Sequence, residues 1–151
     1  MNTRVDQKLY FAKLAFAAAD MNSAAETALL EAVLFHLHIA YRSYLRELLD
    51  NINQSLSADT AQQAAQQLRI LDINSPDIEE LAKLEQSGDW PAQLQAAYHS
   101  AAATVAEIAP AATGTIAVAD ITAQIDRVTS HAWLQQFHAL VQRQRNHAQE
   151  W

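Results

Sequence analysis

Apolar residues recur along this chain at the three- and four-residue intervals of helices, and the repeats break at a few polar or Pro/Gly-bearing points. Residues 3–19 carry two such stripes, one of Leu9, Ala12 and Phe16 and another of Phe11, Leu14 and Ala18, which predicts a first helix that is apolar on more than one side. Asp20 to Ser23 reads as a short polar turn. From about Ala24 to Ile52 the spacing runs unbroken through Leu30, Val33, Leu34, Leu37, Tyr41, Tyr44, Leu45 and Leu48. Phe35 and Ile39 lie behind that main stripe, so this helix must be covered almost all round. A short connection makes the first two helices antiparallel neighbours.

The next stretch is weaker. Residues 53–74 are rich in Gln and Ala, and Ser57 or Asp59 is placed to cap a helix over 60–70 with little to bury beyond Leu68 and Leu71. Ser75-Pro76-Asp77 is a sharper start, with a capping Ser, Pro in the first turn and acid beside it, and Gly88 marks the stop. A helix over 90–108 follows, with Leu94, Ala97, Tyr98 and Ala101 on one face. Ala109 to Ala117 holds Pro110 and Gly114 and reads as a linker. The last helix is expected over 120–149, but its pattern is out of phase with itself. Ile121, Ile125, Val128 and Ala132 centre on one face, whereas Trp133, Phe137 and Leu140 centre roughly 140° away. The helix therefore either breaks near Thr129-Ser130 or packs its halves on different partners. The expected fold is all-α: one domain over 1–151, four long antiparallel helices in a four-helix-bundle-like arrangement, and one or two short capping helices within 57–88.

Composition agrees and then narrows function. Half of the 151 residues are hydrophobic, and 2 Gly with 3 Pro leave too few turn residues for an all-β protein. With no Cys there are no disulfides and no thiolate chemistry, which fits a reducing cytosol. The net charge of −7 argues against nucleic acid as a partner. The acid is concentrated in the middle: residues 61–118 carry 2 basic and 7 acidic groups, residues 119–151 carry 3 of each. At the start, Lys13 interrupts the apolar run and Asp6 sits among the basic residues, which speaks against a signal peptide. No run approaches the length of a membrane span.

The chemistry-bearing residues are mostly histidines. His36 and His38 look like a pair, but two positions along a helix point roughly 160° apart, so they cannot ligate one ion from the same helix. Glu31 and His38, seven apart, share an edge, and so do His131 and His138; Glu31, His38, His131 and His138 are the candidate ligand- or metal-binding set. Arg127 and Arg145 flank the last two histidines and are candidates for holding an anion or an acidic partner. No Glu-x-x-His signature of carboxylate-bridged iron bundles occurs. The Arg-to-His spacings, with three residues between Arg127 and His131, are shorter than those of HEPN-type ribonucleases. No catalytic residue, resident metal or cofactor is therefore assigned. The surplus apolar residues Phe11, Leu14, Phe35 and Ile39 are candidates for an interface, with another protein or with a second copy in a homodimer.

Several strings, NTRVDQKLYF from Asn2 to Phe11, EAVLFHL from Glu31 to Leu37, Ser75-Pro76 with the following ELAKL, Asp89-Trp90, and Trp133-Leu134 with FHALVQRQR, resemble a family of small bacterial helical proteins of unknown function. The resemblance implies a compact helical domain and carries over no activity, cofactor or functional residue. The expectation is a cytoplasmic, non-enzymatic interaction or assembly module; the alternative is a helical bundle that binds a metal or small ligand through His and Glu from facing helices.

Overall fold

The computed structural model describes residues 3–107 and 126–150, and in them every element is helical. The helices are α1 (Arg4–Met21), α2 (Glu26–Asn51), α3 (Ala61–Ile70), α4 (Pro76–Gln86), α5 (Trp90–Glu107) and α6 (Arg127–Gln149), with one 3-10 turn, Ser23–Ala25, between α1 and α2. The predicted 57–88 region thus supplies two short helices. None of the described helices is long and apolar enough to cross a membrane.

Helix ends follow from local chemistry. Thr3 and Asp6 form a reciprocal capping box at the start of α1. Thr60 caps α3 and Asp126 caps α6 through their side chains. Ser75 precedes Pro76 at the start of α4, but its hydroxyl makes no capping bond. The stops of α2, α3 and α4 share one device: Asn53, Asp72 and Gly88 adopt φ of 56°, 56° and 74°. The amide after each donates back five residues, Gln54 to Leu49 at 2.9 Å, Ile73 to Leu68 at 2.9 Å and Asp89 to Leu84 at 3.0 Å. Asn and Asp tolerate the left-handed region better than other side chains, so the two non-glycine stops are as legible physically as Gly88.

One expectation needs correction, and one open alternative is decided. The polar turn after the first helix starts later than Asp20, because α1 continues to Met21 and α2 begins without a side-chain cap. The last helix is continuous through Thr129-Ser130. It starts at Arg127, capped by Asp126, whose backbone is extended (φ −94°, ψ 161°). Ile121 and Ile125 of the predicted first stripe lie outside the described residues, and Val128 of the same stripe is exposed.

Contacts order the long helices. Arg127 of α6 reaches Asp20 and Glu26 at the α1–α2 elbow, while Arg145 reaches Asp6 of α1 and Glu47 of α2. So α1 and α2 run antiparallel, and α6 runs antiparallel to α1. Trp90 of α5 meets Tyr41 and Phe137, whereas Tyr98 meets Phe35, so α5 is antiparallel to α2. One core joins all six helices. Its centre is aromatic: Phe137 sits 5.2 Å from Trp90, 5.9 Å from Tyr41 and 6.1 Å from Tyr44, ring centre to ring centre. Helix α3 buries Ala61, Ala64, Ala65 and Leu68, and the three alanines let it lie close on α4, while Leu71 stays largely exposed.

A buried acid ties the short helices to the long ones. Glu85 of α4 accepts the Tyr41 hydroxyl at 2.6 Å, the Ala61 and Gln62 amides at 2.9 Å each, and the Gln95 side chain at 2.8 Å. Its carboxylate therefore caps α3 from another helix, where unpaired amides and the helix dipole favour negative charge. Burial and the adjoining carboxylate push the Tyr41 phenol well above its ordinary range, which keeps it a donor. A second polar bridge joins α6 to α4: buried Gln144 accepts the Tyr44 hydroxyl at 2.6 Å and donates to Glu80 at 2.8 Å.

Candidate functional site

The sequence candidates separate onto two sides of the molecule. His131 and His138 are exposed on α6 and line a groove of about 510 Å³ against α1, whose floor includes Leu9, Phe16 and Leu134. The His131 ring lies 4.9 Å from that of Phe16. Asp6 and Asp20 stand at the ends of the α1 side, with Lys13 between them.

His38 is elsewhere. It is buried and stacks flat on Tyr98 of α5, with ring centres 3.6 Å apart and planes 6° off parallel. Burial, then Arg42 and His99, lower its pKa to about 4, so it is neutral at pH 7. Its neighbour His36 points the other way, at Phe11 of α1, 5.6 Å between ring centres, and burial with nearby Lys8 lowers its pKa too. The HLH text thus splits between two partner helices, as helical geometry demands. Glu31 is half-buried on α2. Among the described residues no group of three or more His, Asp or Glu is placed to hold a metal ion.

The two arginines are held by the chain's own acids. Arg145 donates to Glu47 through two nitrogens at 2.9 Å each, to Asp6 at 2.7 Å and to Thr3 at 2.9 Å. Burial alone would raise the Asp6 pKa, but Arg145 and Thr3 outweigh it and hold the carboxyl below its ordinary value. Arg127 pairs with Asp20 and Glu26 and donates to the Ala19 carbonyl at 3.1 Å. Each guanidinium therefore meets two carboxylates, so neither carries surplus positive charge toward a ligand.

A second, wider groove of about 720 Å³ runs beside α2, where Ile39 and His38 meet Tyr98, Arg42 and Arg4. Arg42 and Arg46 in it are paired with Asp59 and Asp50. Of the interface candidates, Phe35 is half-buried edge-on against Tyr98, 5.4 Å between ring centres, so α5 partly covers the back of α2. Ile39 and Phe11 are also half-buried. Leu14 is 48% exposed, and it stands among the most open apolar residues of the described chain, with Tyr10 at 57%, Met21 at 89% and Val128 at 80%.

Sequence reasoning passed over Glu85, although a signal existed. Ile78, Leu81, Ala82 and Glu85 follow the i, i+3, i+4, i+7 rule, which puts one acid on the buried stripe of α4. Tyr10 and Met21 were also missed, because each is only one more apolar letter in an apolar helix.

The chain belongs to a family of unknown function, DUF6586, whose model matches residues 1–151. No curated protein and no solved structure matches it.

Proposed function

We propose that this DUF6586 protein is a non-catalytic protein-interaction and assembly module, acting in the cytosol, that docks through the outer face of α1. The observation that carries the reading is that α1 is apolar on two opposite sides. Its inner side buries Val5, Leu9, Ala12 and Ala19, while its outer side leaves Tyr10, Leu14 and Met21 in solvent. Fold stability does not require the second side, and contiguous exposed apolar surface on a folded protein commonly marks a contact site. In this reading the four long helices act as an antiparallel four-helix bundle, a rigid support that α3 and α4 cap.

Capture from the native source tests the reading, with the wild-type chain and the Leu14→Glu, Met21→Glu double variant as baits. A protein held by the first and released by the second supports it; capture indifferent to the pair, or no capture and no self-association, overturns it. The small-ligand alternative draws on one observation, that His131 and His138 share the α1–α6 groove. Its test is calorimetry with zinc on untagged protein: heat that vanishes in His131→Gln, His138→Gln supports it, and a flat titration overturns it.

A further inference from the structure

The outer face of α1 has a register that says what fits it. At 3.6 residues per turn, Gln7, Tyr10, Phe11, Ala17, Ala18 and Met21 all fall within roughly 60° of Leu14, and no charged residue of α1 does. The face is symmetric in position about Leu14 but asymmetric in size. Large rings stand three and four residues before it, and alanines stand three and four residues after it. A face built that way is complementary to itself reversed.

We infer that the occupant of this face is a second copy of the chain, its α1 laid antiparallel on the first with Leu14 on the two-fold axis. The inference rests on the docking reading above. In that register Phe11 of each copy meets Ala18 of the other, Tyr10 meets Ala17, Met21 meets Gln7, and the two Leu14 side chains touch. Each bulky ring thus finds a methyl group, as interdigitating packing requires. The contact is isologous, so it closes at two copies and cannot grow into a fibre. A parallel pairing would instead set Tyr10 against Tyr10 and Ala17 against Ala17, leaving clash at one end and voids at the other. The alanines do a second thing: they let the backbones approach to the near end of the roughly 8–10 Å range of helix pairs.

The absence of cysteine from the sequence makes the register directly measurable. Leu14→Cys is expected to form a covalent dimer under mild oxidation, because residues on the axis come within the roughly 4.4–6.8 Å that a disulfide spans. Met21→Cys alone is expected not to, since the two copies of position 21 lie roughly 21 Å apart in an antiparallel pair. Gln7→Cys, Met21→Cys together restores the cross-link through a different pair of positions, which guards against Leu14→Cys simply weakening the contact. Light scattering of the wild type should give twice the chain mass, reduced to one by Leu14→Glu with an unchanged helical spectrum. Self-linking of Met21→Cys overturns the antiparallel register. A strictly monomeric wild type that captures another protein through α1 overturns this inference and leaves the docking reading standing. A monomer with no capture that depends on α1 overturns both.

Discussion

The surroundings of Glu85 and the outer face of α1 are opposite departures from the usual partition of polar and apolar groups. At Glu85 the fold buries a carboxylate and completes it with four donors from α2, α3 and α5. On α1 it leaves the apolar side chains of Tyr10, Leu14 and Met21 largely open. A buried charge is costly unless its lone pairs are met, so breaking the first arrangement is expected to destabilise the fold. Exposed apolar surface carries little cost in a monomer, so the second is free to serve contact. In the proposed reading, the outer face of α1 serves association, while the Glu85 bridge holds the short helices in place.

The largest test of that division is Glu85→Ala. It leaves the Tyr41 hydroxyl and the amides of Ala61 and Gln62 without their acceptor, and should lower stability by about 4 kcal/mol in denaturant unfolding, with little change in solution mass. A loss below about 1 kcal/mol would mean that water enters and the interior is not finished as described. Next comes a pH effect. An unfolded imidazole takes up its proton near pH 6.5, whereas folded His38 does so only at about 4. Stability is therefore full above pH 6.5 and falls as pH drops to about 4, by about 3 kcal/mol, with His36 acting in the same direction. His38→Gln should flatten most of that slope; an unchanged slope would refute the burial account.

The same comparison shows how much the sequence disclosed. The apolar period marked the long helices, because burying a stripe leaves a mark in every turn, whereas the two short helices of 57–88 were legible mainly from their capping residues. Asp89-Trp90-Pro91 and Ser75-Pro76 marked two starts within a residue or two. Partnership between helices was less legible. Nothing in the text said that Tyr98 would cover both Phe35 and His38, since that depends on how α5 turns as it crosses α2. Nor did it say that Arg127 and Arg145 would each meet two acids from the far end of the chain. Charged residues on a helix rim look alike whether they face solvent or a neighbour.

Smaller effects sharpen the contrast. Arg127→Ala removes two partly exposed ion pairs and a bond to the Ala19 carbonyl, and should cost about 1 kcal/mol in thermal unfolding. A loss above about 3 kcal/mol would show that the α1–α2 elbow depends on α6 far more than its exposure suggests. Smallest of all, Leu14→Gln should change the stability of the isolated subunit by less than about 0.5 kcal/mol, read by unfolding at a protein dilution where copies do not meet. A larger cost would place Leu14 in the fold and withdraw the outer face from the business of contact.

The cap that Glu85 supplies also sets a schedule for synthesis. Ala61 leaves the ribosome 24 residues before the acid that completes it. At roughly 5–20 residues per second, the first turn of α3 waits between roughly one and five seconds with only Thr60 to hold it. In chains halted before residue 85, the Ala61 and Gln62 amides should exchange freely with solvent. Protection should appear once α4 has emerged, so this helix is finished backwards, by a residue made after it.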